Sequence, residues 1–219
     1  MRHGGLVVDV AVLLAAGVNA EGHREVLGCS VALSEQEVHW RDFLSSLKER
    51  GLHGMQLFNS DAHEGLKAAR KAIFPAIPWQ RCQFHLEQNA AKYVPQKSLR
   101  RVVAADLRTI FNAPDAAEAE RYLTRFVKQY ATSAPQLAEW AETVIPEGLT
   151  VFQFPAEHRR RLRTSNMLER LCREIKRRTR VATQFPNTGS CLRLVTAVVM
   201  EISEEWLTGK RYLTMEIEA

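Results

Sequence analysis

The sequence predicts an α/β fold that is interrupted by a stretch of helices. Residues 6–18 and 24–33 are β-branched and apolar, and the turn-like segment 19–22 separates them, which is typical of a buried β-hairpin. Residues 85–150 show only helical periodicity. Two amphipathic helices are predicted after them, over about 164–180 and 188–207.

The elements between the hairpin and the helical stretch are short. Ser34 and Glu37 have the spacing of a capping box, which predicts a helix that ends at Gly51. Its inward-facing residues are predicted to be Val38, Phe43, Leu44 and Leu47. A strand is predicted over 55–59, a helix from Asp61 to about 74, and another strand over 78–84.

The helical stretch and the last helix have clear apolar faces. Leucine, valine, isoleucine and phenylalanine recur over 99–111, and a second such helix is predicted to start near Pro114. The helix over 188–207 should bury Leu192, Val195, Val199, Ile202 and Trp206. The tryptophans are interpreted as packing residues, although one in the helical stretch could stack on an unpaired base.

Composition places the chain among ordinary globular proteins. It has 219 residues, of which 46% are apolar and 25% charged, and its net charge is +5. Residues 156–180 hold ten Lys or Arg and three acids, which suggests a surface that faces a polyanion. The four cysteines form no CxxC pair, which predicts a reduced, cytoplasmic protein, and no apolar run suits a membrane span.

Glu169 stands near the start of the basic helix predicted over 164–180. Arg173 and Arg177 follow it at i+4 and i+8, beside the apolar face. A carboxylate that can hold a cation, among guanidiniums that can hold phosphates, suits an enzyme that cuts a nucleic-acid backbone. The alternative is structural, because Asn166 and Glu169 also have capping-box spacing.

Asp61 is the second candidate carboxylate, at the end of the short strand predicted over 55–59. Ligands of α/β sheets usually bind at the carboxyl ends of strands. Asp61 and Glu64 could instead form a capping box. Two carboxylates with a basic cluster favour a divalent-metal site, since Mg²⁺ prefers oxygen ligands.

Cys82 and His85 form a Cys-x-x-His pair after the strand predicted over 78–84. As a zinc site this signal is weak, because structural zinc takes four ligands. A buried thiol with a hydrogen-bonded histidine is the favoured interpretation.

Four blocks of the sequence resemble the Mutator-type transposases of bacterial insertion sequences. They are SDAHEGLKAA (60–69), WQRCQFHLEQN (79–89), TSNMLERLCREIKRRTR (164–180) and EEWLTGKRYL (204–213). The resemblance implies a ribonuclease-H-like domain with an all-helical insertion, and an Asp-Asp-Glu site that holds Mg²⁺ or Mn²⁺. It divides the chain into a ribonuclease-H-like part (1–85), the insertion (86–158) and C-terminal helices (159–219).

The resemblance also implies roles for individual residues. Asp61 matches the second aspartate and Glu169 the glutamate, and both would be catalytic metal ligands. Cys82, His85 and Asn166 match family positions of unsettled role, while Cys172 stands where relatives commonly have Asn. The expected DNA-binding residues are Arg159, Arg160, Arg161, Arg163, Arg173, Lys176, Arg177, Arg178 and Arg180.

The first aspartate of the family pattern has no counterpart here. In relatives it lies on a central first strand upstream of the hairpin, and Asp9 falls within what resembles the second strand. We therefore expect a chain that is truncated at its N-terminus, lacks that strand, and has little strand-cutting activity alone. The expected partners are DNA, as element ends and target, and a second copy or a full-length transposase.

Two alternatives to an active transposase follow from the same residues. One is a non-catalytic DNA-binding or regulatory fragment, whose binding would be sensitive to salt. The other is a metal-dependent nuclease unrelated to transposition, which would cut DNA without joining strands.

Overall fold

The computed structural model describes residues 1–3, 6–182 and 184–215. Its strands are β1 (Arg2–His3), β2 (Leu6–Val7), β3 (Ala11–Val18), β4 (Arg24–Ala32), β5 (Phe58–Ser60) and β6 (Trp79–Arg81). Its helices are α1 (Glu37–Glu49), α2 (Glu64–Ile73), α3 (Gln83–Ala90), α4 (Arg100–Phe111), α5 (Ala116–Tyr130), α6 (Pro135–Val144), α7 (Ala156–Leu162), α8 (Asn166–Thr179) and α9 (Thr188–Thr208). Short 3₁₀ helices occupy Lys97–Leu99, Ile145–Gly148 and Thr150–Gln153.

The chain divides into two compact units. Unit 1 consists of Met1–Met55, His63–Ala76 and Asn166–Ala219, and unit 2 of Gln56–Ala62 and Ile77–Ser165. The mixture of strands and helices confirms the α/β prediction. Within the described ranges, every helix is too short or too polar to cross a membrane.

The predicted hairpin is confirmed in unit 1. Strands β3 and β4 pair antiparallel from Ala11 opposite Ala32 to Val18 opposite Arg24, with a bulge at Ala15 and Ala16. In the turn, the Asn19 side chain accepts a hydrogen bond from the His23 N–H at 2.9 Å. Gly22 has a φ of 84°, and a Cβ there would lie 1.9 Å from the Leu213 carbonyl oxygen. Only glycine fits this turn.

The prediction of one continuous strand over 6–18 is wrong. This stretch is broken into β2 and β3, and Asp9 is exposed in the segment between them. The short strand β2 pairs with β1 instead, with His3 opposite Leu6. Asp9 therefore does not lie in a strand.

Helices α8 and α9 supply the apolar side of unit 1. Their buried residues Leu171, Ile175, Val195, Val199 and Ile202 form one cluster, against which the hairpin side chains of Val12, Leu14 and Val26 pack. The periodicity predicted for 188–207 is confirmed at Val195, Val199 and Ile202, while Leu192 and Trp206 are half-buried. The Asn187 side chain caps α9 by accepting a hydrogen bond from the Ser190 N–H at 2.9 Å.

Helix α1 confirms its predicted core residues and contradicts its predicted cap. Phe43, Leu44 and Leu47 are buried, but Val38 is 53% exposed. The helix begins at Glu37 with Gln36 at the N-cap and no side-chain capping bond, so the capping box of Ser34 and Glu37 is wrong. Gly51, at a φ of 100°, follows the end of the helix as predicted.

Unit 2 has a two-stranded parallel sheet followed by helices. Strands β5 and β6 pair from Phe58 opposite Trp79 to Ser60 opposite Arg81. The described chain between Gln83 and Leu162 contains helices, 3₁₀ helices and turns and no strand, which confirms the helical stretch. The strand predicted over 78–84 is shorter, because α3 begins at Gln83. A cluster that includes Leu86, Leu107, Ile110, Leu137 and Ile145 forms the core.

Candidate functional site

Asp61 and Cys82 lie at the same edge of the parallel sheet in unit 2. Asp61 directly follows β5 and Cys82 directly follows β6. The Cys82 N–H donates to the Ser60 carbonyl oxygen at 2.8 Å, so the backbone pairing continues to this edge. Because the strands are parallel, both residues leave the sheet at carboxyl ends, where α/β folds usually bind ligands.

The structural alternative for Asp61, a helix cap, is wrong. Helix α2 begins at Glu64, and its N-cap is His63, so Asp61 is not the N-cap and Glu64 is not the third helical residue that a capping box requires. The Ser60 hydroxyl donates to the Asp61 carbonyl oxygen at 2.7 Å and accepts from the Trp79 indole N–H at 3.0 Å. These bonds fix the backbone at Asp61, whose side chain is exposed. Asp61 therefore lies at the strand end, two residues before the N-cap of α2.

Cys82 and His85 lie close together at the start of α3. Their ligand atoms are within 4.8 Å of each other. Cys82 is fully buried, and its Sγ accepts a hydrogen bond from the Ser165 N–H at 3.3 Å. His85 is half-buried, and the Phe84 ring packs on it at 5.6 Å between centroids. The burial of Cys82 agrees with the predicted buried thiol.

A buried glutamine that the sequence analysis missed holds strand β6 in place. Gln80 is fully buried, and its amide group donates to the carbonyl oxygens of Arg81 at 2.7 Å and Gly148 at 2.8 Å. Its side-chain oxygen accepts from the Val151 N–H at 2.7 Å. Gln83 adds a second bond to Gly148 at 2.8 Å. The sequence did contain a signal for this role, because Gln80 is a polar residue within a predicted strand. A buried amide side chain needs hydrogen-bond partners.

In unit 1, α8 carries Glu169 in its first turn on the face beside the buried residues. Leu171 and Ile175 are buried, and Glu169 is half-buried. Arg173 and Lys176 follow Glu169 at i+4 and i+7, so all three share one face of the helix. Helix α8 begins at Asn166, so this residue belongs to the first turn of the helix. Its side chain is exposed.

The basic residues of α8 fall into two groups. Arg177 and Arg178 both donate to Glu174, at 2.7 Å each, and Arg178 also donates to Glu201 at 2.6 Å. The hydrogen bonds from Arg177 and Arg178 lower the pKa of Glu174 to about 2. By contrast Arg173, Lys176 and Arg180 are exposed, and none has an ion pair with an acid in the part of the chain that the structure describes.

The basic residues of α7 divide in the same way within unit 2. Arg159 donates to the carbonyl oxygens of Phe154 at 2.8 Å and Pro114 at 2.7 Å. Arg163 donates to the Asn112 side chain at 2.6 Å, and burial, with the charge of Arg160, lowers its pKa. Both therefore hold the helical fold together. The other two predicted DNA-binding residues of this segment, Arg160 and Arg161, are exposed.

Comparison with known proteins identifies a consistent set of relatives. The sequence model of one family, described as "Transposase, Mutator family", matches residues 1–209. The transposase for insertion sequence element IS406 of Burkholderia multivorans is 58% identical over 213 residues, which are 97% of this chain and 55% of that protein.

Two further relatives extend this agreement to lower identity. The transposase for insertion sequence element ISRM5 of Rhizobium meliloti is 40% identical, over 99% of this chain and 54% of that protein. The transposase for insertion sequence element IS256 in transposon Tn4001 of Staphylococcus aureus is 31% identical, over 99% of this chain and 56% of that protein. The chain spans about half the length of the curated relatives it matches.

Proposed function

The chain belongs to the Mutator family of transposases, and we propose on that basis that it is the catalytic region of an insertion-sequence transposase. Its activity would be metal-dependent DNA strand cleavage and strand transfer by an Asp-Asp-Glu site. Asp61 would be the second aspartate of this site and Glu169 the glutamate. The observation that carries the proposal is the position of Asp61, exposed at the carboxyl end of a parallel strand.

We further propose a ribonuclease-H-like fold with an all-helical insertion. Support comes from the order of the elements: an antiparallel hairpin, a parallel strand pair, a helical segment, and then α8 with Glu169. The division into a ribonuclease-H-like part over 1–85, an insertion over 86–158 and C-terminal helices over 159–219 belongs to the same proposal. No residue of this chain is assigned as the first aspartate.

The donor set fits Mg²⁺ or Mn²⁺ better than it fits zinc. Asp61 and Glu169 offer carboxylate oxygens, which suit Mg²⁺ and Mn²⁺, while Cys82 and His85 are only two of the four ligands that structural zinc requires. When bound, such ions supply activation of water or of a 3′-hydroxyl and stabilise the leaving oxygen. In this chain the two carboxylates would hold the ions.

DNA phosphates would be held by the exposed basic residues. The candidates are Arg173 and Lys176 on α8 and Arg180 directly after its end, because their charge is not neutralised by an ion pair among the described residues. Such contacts position a backbone without reading its sequence. The proposed partners are therefore the ends of the element, the target DNA, and another transposase copy.

Metal binding tests the proposed site directly. Electron paramagnetic resonance would measure the affinity of the chain for Mn²⁺, alone and with Asp61→Asn, Glu169→Gln or Glu142→Gln. Loss of a residue that only hydrogen-bonds to a metal ligand costs about 10–100-fold in metal affinity. Loss of Asp61 or Glu169 as a ligand should therefore cost at least about tenfold. Glu142 is an exposed acid of α6, and its variant should bind like the parent. Parental Mn²⁺ affinity in both Asp61→Asn and Glu169→Gln would refute the site.

DNA cleavage is measured with the same variants on a plasmid that carries the ends of the element. The chain alone is expected to nick the plasmid only weakly, and Asp61→Asn and Glu169→Gln should abolish that nicking and strand joining while keeping salt-sensitive DNA binding. A non-catalytic, regulatory DNA-binding role is the second candidate, favoured by the exposed basic residues of α8. It predicts that DNA binding is retained and that neither parent nor variants nick the plasmid.

A further inference from the structure

A second basic segment, separate from α7 and α8, lies in unit 2. Residues 88–105 hold Lys92, Lys97, Arg100 and Arg101 and contain no acid. All four are exposed, and none pairs with an acid in the described part of the chain. Two acids flank the segment in sequence: Glu87 is neutralised by an ion pair with Arg108, and Asp106 accepts hydrogen bonds from Gln129 and Tyr130. This segment therefore presents a net positive surface that would attract a polyanion.

Exposed apolar side chains are concentrated in residues 88–105 and just before them. The large hydrophobic residues that are exposed in unit 2, all of whose residues are described, are Phe84 (43%), Tyr93 (36%) and Val102 (49%). Tyr93 stacks on the buried Trp140 ring at 5.4 Å between centroids and 22° between planes. This stacking holds the other face of the Tyr93 ring in a fixed orientation. Aromatic rings that are exposed among basic residues are typical of proteins that bind unpaired bases.

A groove of about 220 Å³ runs between α3 and α4 at this place. Phe84, Val94 and Val103 give it apolar walls, and its charged lining is Arg100 and Glu87, the latter neutralised by Arg108. A groove with aromatic and aliphatic walls and a cation beside it suits a flat base attached to a phosphate. A protein partner would also cover apolar side chains, but it would not account for four unpaired cations without an acid.

We propose that this surface, formed by Phe84, Tyr93, Lys97, Arg100 and Arg101, binds unpaired nucleotides of a DNA strand. The inference rests on the proposed function, in which strands are cut and joined, because such reactions expose single-stranded ends. Phe84 would stack on a base, and Arg100 and Arg101 would contact the adjacent phosphates. Bases within a duplex hide their faces, so the surface should prefer single strands.

Fluorescence anisotropy with a short labelled single-stranded oligonucleotide tests this proposal. Phe84→Leu keeps an apolar side chain but removes the ring, and should weaken binding by about tenfold, as expected for one stacked base. Phe84→Trp should bind like the parent. Arg100→Ala with Arg101→Ala should make the plot of log affinity against log salt shallower by about 1.4, because two single-strand phosphate contacts are lost. Lys128→Ala, an exposed cation of α5, is the matched control and should leave this slope unchanged.

The outcomes separate this surface from the metal site and from a protein interface. Asp61→Asn and Glu169→Gln should retain single-strand binding, so failure of the metal site leaves this test intact. Parental oligonucleotide affinity in Phe84→Leu would overturn the proposal. If Phe84→Leu instead changes self-association in sedimentation and not oligonucleotide affinity, the surface binds a second copy, and the proposal is equally overturned. Thermal unfolding of each variant checks that the fold is retained.

Discussion

The strand-end site of unit 2 and helix α8 of unit 1 are stabilised by different interactions. Strand β6, which leads to Cys82, is fixed by the buried Gln80. Its side chain donates to the Gly148 carbonyl oxygen and accepts from the Val151 N–H. Helix α8 is fixed by apolar contacts of Leu171 and Ile175, with ion pairs at its surface. A directional hydrogen bond requires one side chain, whereas an apolar contact accepts several of similar volume. The two regions should therefore respond differently to substitutions that preserve size.

Gln80→Met should produce the largest loss of stability. Methionine has a similar shape, but it leaves the buried Val151 N–H without a partner, which costs about 1–3 kcal/mol. It also removes hydrogen bonds to the carbonyl oxygens of Arg81 and Gly148, each worth about 0.5–1.5 kcal/mol, although Gly148 keeps its bond from Gln83. We expect the free energy of unfolding in urea to fall by about 3–5 kcal/mol. Hydrogen exchange should rise in peptides that cover 79–83 and 145–153.

The matched control for this prediction is Leu171→Met, which also places methionine at a fully buried position. It should cost less than about 1.5 kcal/mol, since it conserves volume and chemistry. Equal destabilisation by the two methionine variants would contradict the distinction between the regions.

Leu171→Ala should come next, with a loss of about 3 kcal/mol, because it leaves a cavity among the residues of α8, α9 and the hairpin. Leu207→Ala, at an exposed position of α9, should cost less than about 0.5 kcal/mol. Hydrogen exchange should increase in unit 1 peptides. An increase confined to unit 2 would show that Leu171 does not support the hairpin.

The sequence predicted what depends on local pattern and failed where distant residues decide. The helical periods of Val195, Val199 and Ile202 and the turn at Gly22 were sufficient to predict α9 and the hairpin. The cap at Ser34 was predicted wrongly, because the backbone there packs on α2. A Cβ on Gly65 would lie 2.5 Å from the Glu35 carbonyl oxygen.

The candidate site shows the same limit. The sequence suggested Asp61, Cys82 and Glu169 as candidate site residues. It predicted β6 to run to residue 84, whereas the strand ends at Arg81. The strand ends because the Gln83 N–H bonds the Arg163 carbonyl oxygen at 2.9 Å, a contact between residues far apart in sequence. Nor could charge alone separate Arg163, which bonds Asn112, from Arg160, which is exposed. Side-chain partners of this kind are set by tertiary packing, which no local pattern contains.

The helical core of unit 2 combines apolar packing with one buried polar bond, so its response should be intermediate. The Tyr130 hydroxyl, on a side chain that is 5% exposed, donates to the Asp106 carboxylate at 2.6 Å. Burial and this bond raise the pKa of Tyr130 to about 12. The folded state therefore favours the neutral phenol, and its stabilising effect is complete below pH 10 and is lost as the pH rises towards 12.

Thermal unfolding between pH 9 and 12 measures this effect. The parent should lose stability over that range more steeply than Tyr130→Phe, which should cost about 1.5 kcal/mol at neutral pH through loss of a hydrogen bond to a charged group. Tyr122→Phe, on the same helix, is the control for a half-buried phenol. Identical pH profiles of the parent and Tyr130→Phe would contradict the prediction.

The surface ion pairs of α8 should contribute least. Glu174 is bonded by Arg177 and Arg178, and its pKa of about 2 means that the carboxylate is charged throughout the neutral range. Because the folded-state pKa is depressed, this contribution is present above the unfolded pKa of about 4.3 and is lost as the pH falls towards 2.

Glu174→Gln should therefore lower the free energy of unfolding only slightly at pH 7 in low salt, because solvent screens an exposed ion pair. The difference from the parent should shrink both in high salt and at pH 3. The same variant should strengthen DNA binding and steepen the salt dependence of affinity, because it releases Arg177 to contact phosphates and leaves Arg178 paired with Glu201 alone. Unchanged DNA affinity, with the small loss of stability present, would mean that these two arginines face away from the bound strand. The phosphate contacts of α8 would then be restricted to Arg173, Lys176 and Arg180.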